Sequence, residues 1–192
     1  METRKGAIIA VAAPSGTGKT TIVKQILKEF PGIVFSVSAT TRKKRKDEKN
    51  GREYFFLTEE EFKKKIVAEE FVEWEKFYDY YYGTFKSYIE ENINKGHSVL
   101  VEIDVKGALH LKNIYPDAVL IFFYPPNFEE LERRLKGRQT EDEADFKKRI
   151  ERAKMELSLK DKFDYLIENK DLNIAVNETK RLINKIINKE KS

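Results

Sequence analysis

Hydrophobic residues occur along the chain in short runs, each followed by a segment with helical spacing. Five runs predict β-strands because they are short and rich in β-branched and aromatic residues. They occupy positions 7–11, 33–38, 98–104, 118–124 and 163–167. Apolar residues with helical spacing follow the first run, fill 105–114, and recur from Ile174 to Ile187. Buried strands that alternate with helices favour a parallel sheet covered on both faces, a three-layer α/β/α fold.

The middle of the chain departs from this alternation. Segments 52–57 and 71–77 have strand character, and Thr58 with Glu61 forms a capping box that predicts a helix between them. Thr84 is predicted to cap the following helix, which would continue to about residue 95. The block from about Arg42 to Thr84 therefore reads as a lobe of mixed strands inserted into the main fold.

The loop after the first strand carries the strongest chemical signal. It contains two glycines followed by a lysine and a threonine, between a predicted strand and a predicted helix; the stretch is Ala13, Pro14, Ser15, Gly16, Thr17, Gly18, Lys19, Thr20 and Thr21. Such a loop presents its backbone N–H groups to phosphate oxygens at a helix N-terminus. Lys19 can reach the outer phosphates, and the Thr20 hydroxyl can ligate Mg²⁺. Ala13 stands where the general G-x-x-x-x-G-K-T pattern has its first glycine.

Composition narrows the functional classes. The 192 residues suit one domain, or one domain with an inserted lobe. There is no cysteine, which excludes disulfides and thiolate metal sites, and the two histidines, His97 and His110, read as ordinary surface or core residues. No apolar run approaches the roughly 18 residues of a membrane span, and the first strand begins too early to leave room for a signal peptide. We expect a cytoplasmic protein, and the net charge of +4 only weakly favours anionic partners.

Two charged segments remain ambiguous from their residues alone. Positions 42–52 contain seven basic and two acidic residues. They could form a nucleic-acid patch, a solvated loop, or a second phosphate pocket with Arg42 and Arg45 as forks. Positions 129–152 could form two salt-bridged helices, which their periodicity favours, or a mobile lid that carries arginines over a phosphoryl group.

The strand at 98–104 ends in two acids, Glu102 and Asp104. Ligands bind at the carboxyl ends of strands in open α/β sheets, so a carboxylate here would face Mg²⁺ held at Thr20. A phosphate loop with a second phosphate site opposite suits phosphoryl transfer between nucleotides. Residue types and spacing thus lead to a P-loop kinase of a small substrate.

Several later motifs add a family resemblance. They are Ser36-Val37-Ser38-Ala39-Thr40-Thr41-Arg42-x-x-Arg45, Asn50-Gly51-x-x-Tyr54, Phe71-Val72-Glu73-Trp74, Tyr81-Tyr82-Gly83-Thr84 and Ile103-Asp104-x-x-Gly107. With the phosphate loop before them, the chain closely resembles the guanylate kinases from about residue 6 to the last helix. The resemblance implies transfer of the ATP γ-phosphoryl group to GMP, and to dGMP as well, which gives ADP and GDP. It implies Mg²⁺ as cofactor, purine nucleotide metabolism as the setting, and no nucleic-acid or membrane partner.

The resemblance also implies an organisation and a set of roles. The core would comprise 1–36, 85–125 and 158–192, the GMP-binding lobe 37–84, and a helical lid 126–157. Arg42, Arg45, Tyr54 and Tyr82 would hold the GMP phosphate, and Ser38, Glu73, Thr84 and Asp104 would surround the guanine. Lys19, Arg42, Arg138 and Arg149 would be catalytic, with the last two in the lid. Asn169 would lie near the adenine, and Thr20 and Asp104 would hold the metal.

The guanine assignment has independent chemical support. Guanine presents N1–H and N2–H₂ donors on one edge, and the Glu73 carboxylate can accept from both. Adenine has an unprotonated N1 there, which would face the carboxylate lone pair to lone pair. A site built on such hydrogen bonds can discriminate by about 10⁴-fold.

Two positions depart from the family pattern. Glu102 stands where aspartate is usual, which leaves its part in the magnesium shell uncertain, and Lys170 follows Asn169 where aspartate is common.

Three alternative functions remain: a non-catalytic guanylate-kinase-like interaction module, a kinase of another nucleoside monophosphate, and a nucleic-acid-binding ATPase. The lysine and threonine of the phosphate loop argue against the interaction module, which would not need them. Glu73 beside the tyrosines argues against a kinase of another monophosphate. The nucleic-acid-binding ATPase is disfavoured because no aromatic residues alternate with basic ones along a strand face.

Overall fold

The computed structural model describes residues 5–77, 79–136 and 143–189. The strands are β1 (Ile8–Ala12), β2 (Val34–Ser36), β3 (Ala39–Thr40), β4 (Phe55–Phe56), β5 (Phe71–Phe77), β6 (Tyr80–Phe85), β7 (Val99–Glu102), β8 (Val119–Tyr124) and β9 (Tyr165–Glu168). The helices are α1 (Lys19–Glu29), α2 (Glu59–Val67), α3 (Lys86–Asn94), α4 (Val105–Ile114), α5 (Phe128–Lys136), α6 (Glu143–Ser158) and α7 (Leu172–Lys189). A short 3₁₀ turn, Lys160–Lys162, leads into β9.

A parallel sheet of five strands forms the centre of the molecule, in the order β2-β7-β1-β8-β9. Helices α1 and α7 cover one face, where Ile22, Ile26 and Ile183 pack against the sheet. Helices α3 and α4 cover the other face, where Ile89 and Leu111 are fully buried. The three-layer α/β/α fold predicted from the alternating runs is therefore confirmed. All five strands direct their carboxyl ends to the same edge, where β1 leads into the phosphate loop and β7 ends at Glu102.

A second, smaller sheet of mixed direction is inserted between β2 and α3. Its strand order is β4-β3-β6-β5, with β3 parallel to β4 and antiparallel to β6. Helix α2 covers this sheet through Phe62, which is fully buried and stacks on Phe71 at 4.5 Å between ring centroids. The predicted capping box is present: the Thr58 hydroxyl accepts from the Glu61 N–H, and the Glu61 carboxylate accepts from the Thr58 N–H at 2.7 Å.

One predicted helix start is wrong. Thr84 lies inside β6, not at a helix N-terminus, and α3 begins two residues later at Lys86, after Phe85. The Thr84 hydroxyl donates to the Glu73 carboxylate across the strand pair at 2.7 Å, so it is not available as a cap. Phe85 extends the strand because its ring packs beside Phe71, with centroids 4.9 Å apart.

Helices α5 and α6 form a separate hairpin with its own apolar contacts. Leu131, Leu135, Ile150 and Ala153 are buried between the two helices. The Asn127 side chain accepts from the Glu130 N–H at 2.8 Å and so caps α5. Thr140 and Glu143 have the spacing of a further capping box, but Thr140 lies outside the described residues. No helix within the three described ranges is both long and apolar enough to cross a membrane.

Candidate active site

The phosphate loop joins β1 to α1 and depends on two glycines. Gly16 and Gly18 have φ angles of 88° and 91°, a left-handed conformation that favours glycine. A Cβ on Gly18 would also lie 2.8 Å from Nδ2 of Asn169. That amide donates to the Thr17 carbonyl at 2.6 Å and is buried. The loop therefore opens toward solvent on one side and is braced on the other by a residue that follows β9.

Lys19 projects from the first turn of α1 to the end of β7. Its ammonium donates to the Ile103 carbonyl at 2.8 Å and lies 4.0 Å from the Glu102 carboxylate. Burial lowers the pKa of Lys19, while Glu102 and Asp104 act in the opposite direction. One carbonyl and one carboxylate therefore hold the amine near the loop.

Thr20 and Glu102 meet at the carboxyl edge of the sheet. The Thr20 hydroxyl donates to Oε1 of Glu102 at 2.7 Å, so the longer glutamate side chain reaches the loop. Asp104 has a different contact: its Oδ1 accepts from the Gly107 N–H at 2.9 Å and caps α4. Among the described residues, no three histidine, cysteine or carboxylate groups are placed to hold a metal on their own. One hydroxyl and one carboxylate nevertheless suit Mg²⁺, which takes few protein oxygens and completes its shell with phosphates and water.

The inserted sheet carries a cationic and phenolic group of residues. The Arg42 guanidinium lies 5.5 Å from the centre of the Tyr54 ring, and Tyr82 meets Tyr54 edge to face with centroids 6.0 Å apart. Burial raises the pKa of the Tyr54 phenol, so its O–H stays protonated and able to donate. Arg45 lies in the same loop, where its backbone N–H donates to Glu48 at 2.8 Å.

Glu48 is a member of this group that the sequence reasoning missed. Its carboxylate accepts two hydrogen bonds from Arg42, at 2.7 and 3.1 Å, and these bonds lower the pKa of Glu48. Both terminal nitrogens of Arg42 face Glu48, and Nη1 also donates to the Lys43 carbonyl at 2.9 Å, so these contacts fix the plane of the guanidinium. An acid inside a strongly basic run was the available signal, because it has no reason to be there unless it pairs with a neighbour.

A second carboxylate, that of Glu73, lies where the inserted sheet meets helix α4. Glu73 on β5 accepts from the Thr84 hydroxyl and lies against Gly107 of α4, where a Cβ would be 3.1 Å from Oε2. Burial raises the pKa of Glu73 to about 7, and Asp104 adds to the shift, while the Thr84 hydrogen bond opposes it. A cleft of about 660 Å³ between β5 and α4 is lined by Glu73 and Asp104, among others.

Ser38 is the remaining residue that was predicted to surround the guanine. Ser38 immediately precedes β3, and its carbonyl accepts from the Phe55 N–H at 2.9 Å. This contact ties the start of the inserted sheet to β4. The structure brings Glu73 and Asp104 to one cleft, and Thr84 is hydrogen-bonded to Glu73. Ser38 directly precedes Ala39, which pairs with Gly83 in the antiparallel ladder, so Ser38 lies at the same end of the β3–β6 pair as Thr84.

The α5–α6 hairpin reaches the phosphate loop with two arginines. Arg149 of α6 donates to the Ser15 hydroxyl at 2.8 Å. Arg134 of α5 donates to the Asn169 carbonyl at 3.1 Å and approaches the Thr17 carbonyl at 3.5 Å. Arg138 lies outside the described residues.

Arg134 was not among the residues predicted to act. It lines a hollow of about 470 Å³ beside the loop, together with Pro126, Asn127, Glu130, Glu168 and Lys170. Asn169, which lies between Glu168 and Lys170 in the sequence, contacts the phosphate loop. Its local ion pair with Glu130, four residues earlier, resembles those of the charged residues around it. The contacts that distinguish Arg134 are with residues 35 and 117 positions away.

The fold and this site define a class of protein. A three-layer α/β/α core carries a glycine-bearing phosphate loop with Lys19 and Thr20, and an inserted sheet carries Arg42 beside Tyr54. An arginine-bearing hairpin contacts both the loop and the inserted sheet. A phosphate loop combined with a second cationic group on an inserted lobe is typical of P-loop kinases that act on small phosphorylated acceptors.

Comparisons with known proteins specify the family. The guanylate kinase family model matches residues 5–186, and the chain belongs to that family. It is similar to a guanylate kinase of Thermotoga maritima, 44% identical over 90% of this chain and 83% of the other. A guanylate kinase of Clostridioides difficile is 43% identical, over 98% of this chain and 92% of its own. The crystal structure of guanylate kinase from Anaplasma phagocytophilum has a TM-score of 0.77 and 30% identity, covering 96% and 87% of the two chains.

Proposed function

We propose that this chain is an ATP:GMP phosphotransferase, which transfers the γ-phosphoryl group of ATP to GMP and gives ADP and GDP. The single observation that carries the choice of acceptor is the half-buried Glu73 carboxylate, held by Thr84 in the cleft between β5 and α4. Its family membership supports the same reaction. The enzyme would serve purine nucleotide metabolism in the cytoplasm.

The phosphate loop is the donor half of the proposed site. Its backbone N–H groups and the helix N-terminus would bind the β-phosphate of ATP, and the Lys19 ammonium would move from the Ile103 carbonyl to the outer phosphates. Ala13, Pro14, Ser15, Gly16, Thr17, Gly18 and Thr21 would complete this half. The hollow beside Arg134 and Asn169 is the proposed adenine site, where a guanidinium plane can stack on the base.

Thr20 and Glu102 are the residues that would hold Mg²⁺. Their oxygens already lie 2.7 Å apart, and Asp104 is placed nearby at the N-terminus of α4. When bound, the ion neutralises charge on the phosphates and orients them. With its extra methylene, the Glu102 carboxylate lies within hydrogen-bond reach of the loop.

The inserted sheet is the proposed acceptor half, a lobe spanning about 37–84. Arg42, preorganised by Glu48, would hold the GMP phosphate with Arg45, Tyr54 and Tyr82. Glu73 would accept from guanine N1–H and N2–H₂, with Ser38, Thr84 and Asp104 around the base. These contacts direct a phosphate oxygen of GMP in line with the γ-phosphorus.

The hairpin is the proposed lid, spanning about 126–157. Arg149, already at the phosphate loop, would neutralise the transferring group together with Arg138. No strong base is required, because phosphoryl transfer depends mainly on positioning and charge neutralisation. Closure over the nucleotides would exclude water, which otherwise competes as an acceptor.

A coupled ADP-release assay with GMP, dGMP, AMP, UMP and dTMP tests the function. We expect turnover with GMP to exceed that with AMP by about 10⁴-fold, as hydrogen-bonded discrimination allows. Equal rates with AMP and GMP would contradict the acceptor assignment. No turnover with any of the five would favour the interaction module instead.

The preference for GMP should depend on pH. Only the charged form of Glu73 accepts from both guanine donors, whereas the protonated form can donate to adenine N1. With the pKa of Glu73 raised to about 7, protonation increases as the pH falls from 8 to 6. We expect the ratio of kcat/KM for GMP to that for AMP to fall by about tenfold or more over this range. The ratio is the informative quantity, because both substrate phosphates titrate alike; a constant ratio would contradict the prediction.

A further inference from the structure

Arg152 of α6 forms an ion pair that joins the hairpin to the inserted sheet. Its Nη2 donates to Oε2 of Glu75 on β5 at 2.8 Å. The two residues are 77 positions apart, and their elements belong to two separate parts of the fold, the α5–α6 hairpin and the inserted sheet. Both side chains are partly shielded, with 27% and 37% of their surface exposed, so solvent weakens the pair less than a fully exposed one.

The same face of α6 contacts the phosphate loop. Arg149 precedes Arg152 by three residues, and side chains at this spacing lie on one face of a helix. Arg149 donates to Ser15, while Arg152 donates to Glu75. One helical turn therefore contacts the donor side and the acceptor sheet at the same time.

Glu75 lies on the same strand as Glu73, the proposed acceptor-binding residue, but we assign it no contact with the acceptor. It follows Glu73 by two residues, which puts both carboxylates on one face of the strand, and it pairs in register with Tyr82 on β6. A displacement of Glu75 therefore also displaces the strand that carries Glu73, the carboxylate proposed to bind the guanine. Its negative charge also helps to raise the pKa of Glu73, which shows that the two carboxylates are close enough to interact.

A buried acid aims the Arg152 side chain. Glu156, one turn further along α6, is only 5% exposed and accepts from Nε of Arg152 at 2.9 Å. The guanidinium is thus held between two carboxylates, one on its own helix and one on the inserted sheet. With Nε bound to Glu156, its Nη2 is directed outward to the sheet.

We propose that the Arg152–Glu75 pair is a positioning contact that couples lid closure to closure of the acceptor lobe. When the pair forms, the turn of α6 that delivers Arg149 to the phosphate loop also draws β5, and with it Glu73, into register. This inference rests on the proposed function for the identity of the acceptor. The contact itself involves only residues of this chain.

Replacing Glu75 by glutamine is the cleanest kinetic test, because it leaves the Arg152–Glu156 pair in place. We expect kcat/KM for GMP to fall by about tenfold, with the affinity for ATP alone and the melting temperature unchanged. Arg152→Gln should lose at least as much, and the double variant no more than Arg152→Gln. The matched control is Glu29→Gln, which removes a 2.9 Å ion pair with Lys180 that also joins two elements, but both of them flank the central sheet. Additive losses in the double variant, or full activity of Glu75→Gln, would overturn the coupling.

A distance measurement tests the coupling independently of the acceptor's identity. The chain has no cysteine, so spin labels can be attached at Lys64→Cys in α2 and Lys147→Cys in α6. Without nucleotide, and again with a non-hydrolysable ATP analogue plus GMP, we expect Glu75→Gln to shift the label distances toward longer and broader distributions. Distributions identical to those of the unaltered chain would overturn the proposal. Absence of GMP turnover in the unaltered chain would instead refute the proposed function and leave the distance result to decide the coupling.

Discussion

Replacing Glu73 by glutamine is expected to lower kcat/KM for GMP by about 10³-fold. The amide keeps one acceptor oxygen but turns its N–H₂ toward a guanine donor, so one hydrogen bond is lost and a buried donor is left facing another. The same amide can pair with adenine, by donating to N1 and accepting from the exocyclic amine. The affinity for ATP should not change, because Glu73 lies in the cleft between β5 and α4 and not in the phosphate loop. Steady-state kinetics with GMP and AMP, together with ATP titration, measure each of these effects.

The control for this variant is Glu70→Gln. Glu70 lies just before β5, and its exposed carboxylate pairs with Lys65 at 2.8 Å on the outer side of the inserted lobe. The two substitutions make the same chemical change a few residues apart. Unchanged GMP kinetics in Glu73→Gln, or an equal loss in Glu70→Gln, would refute the role assigned to Glu73.

Replacing Lys19 by methionine is expected to reduce kcat with ATP and GMP by at least about 10³-fold. Methionine retains the length and helix propensity of lysine but carries no charge to neutralise the transferring group. The fold should persist, since removing the buried cation also relieves its desolvation. KM for GMP should change little, because the acceptor residues are on the inserted sheet. Single-turnover kinetics separate the chemical step from nucleotide binding.

Lys24→Met provides the comparison on the same helix. Lys24 is exposed on α1, one and a half turns after Lys19, and faces away from the buried side of the helix. Its replacement should leave kcat unaltered. Loss of activity in Lys24→Met, or its retention in Lys19→Met, would argue against the donor half as proposed.

Several features were predictable because their causes are local in sequence. The capping box of Thr58 and Glu61 involves residues three apart, and helix Val105–Ile114 was predicted with the bounds that it has in the structure. The phosphate loop was recognisable because its glycines, lysine and threonine are consecutive and lie between a strand and a helix. The mixed character of the inserted lobe followed from short strand patterns that did not fit the main alternation.

Other features depend on contacts between distant residues. Thr84 resembles a helix cap by its type and spacing, but its partner is Glu73 on the neighbouring strand. Whether Glu102 could reach the loop was uncertain because the answer depends on where β7 ends relative to α1. Arg134 and Arg152 were indistinguishable from the surrounding charges, since each has an ordinary local ion pair and its distinctive partner lies far along the chain.

The sequence by itself determined the alternating α/β core, the phosphate loop, the family and most of the residue types at the site. These depend on periodicity, on turn chemistry and on short motifs, which a chain expresses before it folds. The tertiary structure alone decided which carboxylate meets Thr20, which acid fixes Arg42, and how α6 connects the phosphate loop to the inserted sheet. The physical reason is that hydrogen bonds and ion pairs form between groups a few ångströms apart, and only the packing of whole elements sets those distances.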